Sequence, residues 1–135
     1  MSRHPFDPPF ADLPDSLPVF PLPGVLLLPG GQLPLNIFEP RYLAMIDDAL
    51  AGQRLIGMVQ PHPDDGTEDV GAARLYRTGC AGRIVAFSET DDRRYLIRLG
   101  GLIRFDVGEE LEMEQGYRRV RPHWQAYRDD LEARS

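Results

Sequence analysis

Apolar positions recur with two different periods along this chain, and the switches between them mark out its elements. Leu17 to Phe38 reads LPVFPLPGVLLLPGGQLPLNIF, short apolar stretches broken by proline and glycine. Val19, Phe20 and Val25 to Leu28 suit short strands. Proline cannot donate to a ladder, so such strands belong at edges, ends or bulges. Pro29-Gly30-Gly31 is the clearest turn. The period then becomes helical. Tyr42, Met45, Ile46 and Ala49, with Leu43 and Leu50 alongside, fall on one broad face, and Arg41, Asp47 and Asp48 take the wet side. Pro40 stands at the favoured first helical position and Gly52 at the favoured stop. Leu55 to Gln60 is a compact apolar run suited to a buried strand.

Pro61 to Ala73 is polar and acidic and reads as a long surface loop. Period two returns after it. In Gly79 to Glu89, Ile84 and Ala86 share one face and Val85 and Phe87 the other. Thr90-Asp91-Asp92 is expected to turn the chain. Tyr95, Ile97 and Leu99 then alternate with Arg94, Leu96 and Arg98, and Ile103, Phe105 and Val107 with Arg104 and Asp106. Tyr117 to Arg121 is a further strand candidate. Such a succession argues for an antiparallel meander, curved at Gly82, Gly100-Gly101 and Gly108. The expected class is mainly β (α+β), a small, incompletely closed antiparallel β-barrel with one amphipathic helix. Residues 1–15 are expected to form an extended, flexible lead-in and 16–123 the domain. In the tail, 124–135, Trp124, Tyr127 and Leu131 fall at helical spacing, as a docked helix or the start of a helical subdomain.

Composition narrows the function. A chain of 135 residues has room for one domain and one sizeable core. Its formal charge of −6 argues against tracking a phosphate backbone or an anionic membrane. A lone cysteine, Cys80, leaves no internal disulfide and reads as a small buried hydrophobe. With no signal peptide after Met1 and no long apolar run, the expected location is the cytoplasm.

The segment Leu33-Pro34-Leu35, Ile37-Phe38-Glu39-Pro40-Arg41-Tyr42 resembles the opening of the N-terminal substrate-binding domain of Lon proteases. Gly79-Cys80-Ala81-Gly82-Arg83-Ile84 and Leu99-Gly100-Gly101-Leu102-Ile103-Arg104-Phe105 resemble later strands of that family, in the right order. The resemblance covers about Leu17 to Pro122. It implies a PUA-like β-barrel in a stand-alone relative, and a function in recognising unfolded or degron-bearing polypeptides, as an adaptor, with a protease as a possible partner. Phe38, Glu39, Pro40, Arg41, Tyr42, Gly101, Arg104 and Phe105 carry the resemblance and read as scaffold. Phe38, Tyr42, Leu43 and Ile46 are expected in the core, and Arg41 is placed to tie the helix to a strand by an ion pair.

The chemistry of Lon does not extend to this chain. All fifteen basic residues are arginine, so a Ser-Lys dyad, a Schiff base and a phosphate-binding GxxxxGK loop are excluded. No serine lies in a G-x-S-x-G elbow. His62, Asp64, Asp65, Glu68 and Asp69 carry oxygen and nitrogen donors in one loop but lack EF-hand spacing, so they read as solvated surface and no metal or cofactor is expected. Arg118, Arg119 and Arg121 with Tyr117 and Trp124 offer the alternative of a PUA-type RNA binder. Glu109, Glu110, Glu112 and Glu114 just upstream are expected to pair with them instead. The expectation is therefore a non-catalytic polypeptide binder. Leu27, Leu28, Pro29 and Leu33 form its candidate surface, because apolar residues in turns are hard to bury; the alternative is that they close one end of the barrel.

Overall fold

The alternating half of the sequence folds as its period predicts. In the computed structural model, which describes residues 7–63 and 73–132, the strands are β1 (Leu17–Pro21), β2 (Gln32–Ile37), β3 (Leu55–Val59), β4 (Thr78–Glu89), β5 (Tyr95–Glu114) and β6 (Tyr117–His123). Helix α1 (Pro40–Ala51) lies between β2 and β3, and α2 (Arg128–Glu132) follows β6. β3, β4, β5 and β6 pair antiparallel in succession. At the β5–β6 hairpin Gln115 (φ 49°) and Gly116 (φ 88°) are both left-handed, as a two-residue type I′ turn requires.

The first half departs from a meander. β1 runs parallel to β3, with Val19 opposite Gly57, and antiparallel to β6, with Leu17 opposite Val120. Parallel neighbours need a long crossover, and the stretch through β2 and α1 supplies it. The pairings β5–β4–β3–β1–β6–β5 therefore close a ring, while β2 is added at the edge of β5. Strand β5 serves both tasks: Tyr95 to Gly100 pair with β2, and Asp106 to Glu114 pair with β6. Register shifts fall at Ala81/Gly82, Ile84/Ala86, Val107/Glu110 and Leu111/Glu114; the first and third include Gly82 and Gly108, where curvature is expected.

Each face of β3 is buried, which explains its unbroken apolar run. On one face Ile56 and Met58 meet Tyr42, Met45, Ile46 and Ala49 of α1. On the other, Leu55 and Val59 join Leu17, Val19, Ala81, Ile103, Phe105 and Val120 inside the ring. Phe105 sits at the centre. A Cβ added at Gly57 would lie 2.7 Å from its ring and 2.8 Å from Leu17, so those positions admit no side chain. Trp124 and Leu131 cover this core, the Trp124 and Phe105 rings lying 5.7 Å apart.

Helix α1 ends at Ala51 with Gly52 as its cap residue, but the left-handed residue that redirects the chain is Arg54 (φ 65°), whose N–H reaches Ala49 O. Asp47 and Asp48 are not simply the wet side. Tyr95 Oη donates to Asp47 at 2.8 Å and Tyr117 Oη to Asp48 at 2.6 Å, fastening α1 to β5 and β6. The bond to Asp47 and burial push the Tyr95 hydroxyl up to about 12.

Met1 to Phe6 lie outside the described residues, but the part of the lead-in from Asp7 to Asp15 is packed on the domain. Phe10–Asp12 form a 3-10 turn, Phe10 lies under the Arg128 guanidinium at 4.6 Å, and Trp124 Nε1 donates to Pro14 O at 2.8 Å. Asp130 anchors α2 by accepting from the Arg104 backbone N–H and Nε, each at 3.0 Å, and from Nη2 at 2.8 Å. These bonds, with the hydrogen bond from the side chain dominant, hold the Asp130 carboxyl below its ordinary 3.8. Tyr127 does the same for Asp106 by donating at 2.8 Å.

Two outcomes follow. Phe105→Ala should cost about 3–5 kcal/mol in urea unfolding, the usual range for a fully buried phenylalanine. The folded carboxyls titrate below their unfolded values, so their stabilisation is complete above about pH 4 and is lost as pH falls through the folded pKa. Acid unfolding followed by tryptophan fluorescence should therefore be shallower in Asp130→Asn than in the parent.

Candidate functional site

The proline-rich stretch before β2 pairs as a strand nowhere between Val25 and Leu28. Its shape is set by the turn that follows. Gly31 N–H donates to Leu28 O at 2.8 Å, Gly30 N–H to Gly101 O at 2.9 Å, and Gly101 N–H to Gly31 O at 2.8 Å. The turn thus lies flat on β5. A Cβ at Gly101 would fall 1.9 Å from Leu28 O, so the close approach demands glycine there. Burial alternates along this stretch. Leu27 is 4% exposed and packs beside Ile84 and Leu99, whereas Leu26 and Leu28 are 69% and 54% exposed. Pro29 and Leu33 are half-buried. Leu27 therefore belongs to the barrel's packing, and Leu26, which the sequence does not single out, belongs to the surface.

The motif entering α1 divides in the same way. Tyr42 is buried, 4.3 Å from the Phe20 ring. Phe38, expected in the core, is 63% exposed. Leu33 and Leu35 of β2 are half-buried and Ile37 is fully buried, so the next residue, Phe38, has outward parity. It stands at the rim of a groove of about 290 Å³ floored by Phe20, Leu22, Leu35 and Tyr42. Glu39 and Arg41 line the same rim, where their ion pair measures 3.3 Å. Arg41 thus pairs across the start of its own helix. Arg104 holds Asp130, as described above, and Phe105 fills the ring.

A peptide has two general ways to use such a molecule: adding to a strand edge or lying in a groove. β2 is the terminal strand of the sheet and would be the edge to extend. Gly101 bonds to Gly31, so in this register Leu33, Leu35 and Ile37 face β5, and Gln32, Pro34 and Asn36 present their nitrogens outward. Pro34 has no N–H to offer. The middle of the edge is broken, and the apolar groove is the better seat.

Other expected features resolve plainly. Arg118 is bound to Glu110 through Nε at 3.2 Å and Nη2 at 2.6 Å, and donates to Ala73 O. Arg121 faces Glu109 at 3.9 Å, and Arg119 donates to the Glu112 carbonyl through Nε at 3.3 Å and Nη2 at 3.2 Å. The cross-strand charge ladder absorbs most of the basic patch. Cys80 is 3% exposed. Asp64, Asp65, Glu68 and Asp69 lie outside the described residues, and His62 stacks on Tyr76 at 4.3 Å. Among the described residues no group of three or more His, Cys, Asp or Glu could hold a metal ion, and no helix is long and apolar enough to cross a membrane.

A family model of the ATP-dependent protease La (LON) substrate-binding domain matches residues 16–134. This chain belongs to the LON substrate-binding domain family. It is similar to the Lon protease of Anaeromyxobacter dehalogenans, at 36% identity over 110 residues, and to Lon protease 2 of Myxococcus xanthus, at 37% over 110 residues. Each match covers 82% of this chain but 13% of the relative, so the LON domain here spans a small fraction of those proteins. Among solved structures, a Lon N-terminal domain protein from Xanthomonas campestris aligns with a TM-score of 0.64 at 29% identity, covering 81% of this chain and 59% of that one. The N-terminal domain of Lon protease from the Mycobacterium avium complex aligns at 0.62 with 18% identity over 81% and 54% of the two chains, a likeness of fold.

Within this LON domain adjacent leucines should respond differently to truncation. Leu27→Ala should lose about 2–4 kcal/mol of stability in denaturant titration. Leu28→Ala, on the surface, should stay within about 0.5 kcal/mol of the parent.

Proposed function

We propose that this LON domain is a non-catalytic polypeptide-binding module, an adaptor that takes exposed apolar segments of unfolded or degron-bearing proteins. The observation that carries this reading is Phe38. Phe38, with the Arg94 guanidinium 6.0 Å from its ring centre, extends the apolar surface of the groove, and contiguous exposed apolar surface marks an interaction site. Leu26 and Leu28 add a second exposed apolar site on the loop joining β1 to β2. Family membership supports substrate recognition; the adaptor role, a protease partner and a cytoplasmic location are part of the proposal. The absence of lysine from the whole sequence supports the lack of Ser-Lys or P-loop chemistry. The RNA-binding alternative loses its support, because Arg118 and Arg121 face carboxylates in cis and Arg119 is held by a backbone carbonyl.

The test is the affinity of a permanently unfolded probe, a reduced and alkylated polypeptide carrying a fluorophore, measured by anisotropy. Phe38→Ala should weaken binding about tenfold or more, equivalent to ~1.4 kcal/mol, while circular dichroism stays unchanged. Equal affinity of Phe38→Ala and the parent would sink the groove as the site. A further loss on adding Leu26→Ala and Leu28→Ala would extend the contact surface to the loop.

A further inference from the structure

Arg83 is the buried charge of the ring. It lies on β4 opposite Leu55 of β3 and Gly100 of β5, with its side chain 9% exposed. A guanidinium so far from water is tolerated where an anion meets it. Here Arg83 Nε donates to Asp7 Oδ1 at 3.1 Å, and the Asp7 side chain is 4% exposed. The two residues are 76 positions apart. They share a small cleft of about 110 Å³ walled by Gly30, Gly31, Gly100 and Gly101.

The anion is brought by a thin strap and not by the barrel. Asp7 is followed by Pro8-Pro9, which favour an extended chain. The strap is held downstream by Phe10 under Arg128 and by the Trp124 bond to Pro14. From Pro8 to Asp15 every residue is half-buried or exposed, so Asp7 is its one fully buried side chain among the described residues. The cleft is thus built by β4, β5 and the turn before β2, and a carboxylate from outside the barrel meets Arg83 at its wall. The planar fork of arginine matches a carboxylate, open space of about 110 Å³ remains beside the pair, and a net charge of −6 disfavours a more highly charged phosphate.

We propose that the Arg83 cleft is a carboxylate-binding site that Asp7 fills in cis, and that the C-terminal carboxylate of a bound polypeptide competes with Asp7 for it. The cleft itself stands on the geometry; that its incoming carboxylate is a polypeptide terminus rests on the polypeptide-binding reading. A tethered group acts at millimolar effective concentration, so Asp7 masks the site from weak ligands and opens it to segments also held elsewhere. The strap is then a built-in competitor, and carboxyl-terminal segments are the substrate class.

The test uses the full chain with Asp7→Asn, checked for fold by circular dichroism. The probes are an N-acetylated apolar heptapeptide with a free C-terminus, the same peptide as its C-terminal amide, and acetate. Expected is an affinity for the free-acid peptide about tenfold or more above that of the parent, on release of the tethered competitor, with the amide unchanged. The Arg83 Nε–H resonance should move with the acid and stay with the amide. A shift with acetate but not with the peptide would keep the carboxylate site and assign it to small carboxylates. Equal binding of acid and amide, with an unmoved Arg83 signal for all three probes, would overturn the proposal. Phe38→Ala binding of the unfolded probe is measured separately, so failure here leaves the groove intact. Arg83→Met in the Asp7→Asn chain should abolish acid preference; if it does not fold, the Arg83 resonance in Asp7→Asn alone decides.

Discussion

Phe105 has to fit inside a ring of five strands, and that constraint governs much of what surrounds it. The ring of a phenylalanine at that point leaves no room for side chains at Gly57 and Gly79, whose added Cβ atoms would come within 2.7 and 3.0 Å of it. Those glycines let β3 and β4 approach, and β3 then has two buried faces. One face completes the ring around Phe105, and the other receives α1. Trp124 closes the ring over Phe105 and reaches back to Pro14. A single buried aromatic thus links the sheet, the short C-terminal helix and the segment ahead of β1.

The surface features that bear on function are by-products of the same closure. β2 lies outside the ring, because β6 takes the second half of β5 and β4 one edge of its first half, which leaves β2 the other edge of that first half, from where it feeds α1. That placement turns Phe38 outward. It also presses the glycine turn onto Gly101, which turns Leu27 in and Leu28 out. The exposed apolar groups are therefore fixed by backbone geometry rather than scattered over a mobile loop.

Much of the fold was legible in the sequence. The alternation from Gly79 onward and the capped run from Pro40 to Gly52 gave strands and helix close to their observed bounds. The parallel β1–β3 pairing was not legible, because period two is the same for either direction and the crossover is set by where β2 finds a partner. The site was legible in part. The turn leucines were singled out, but burial at Leu27 and exposure at Leu26 depend on one hydrogen bond, Gly31 to Leu28, that no composition discloses. Phe38 is different: parity along Leu33, Leu35 and Ile37 already pointed it outward, and its aromatic character masked that signal. Asp7 lay hidden in a stretch whose prolines suggested disorder, since a partner 76 residues away leaves no local trace.

Pro34 carries one more consequence. In a ring of paired strands the outer side of β2 is where another chain could continue the hydrogen-bonded ladder. With a gap in the middle of that edge, a neighbouring molecule or a misfolded segment meets two separated stubs too short to nucleate a shared sheet. The sheet then offers no continuous template on which a second chain could deposit. The cost is slight, because an edge nitrogen without hydrogen faces water and leaves no buried donor unmet.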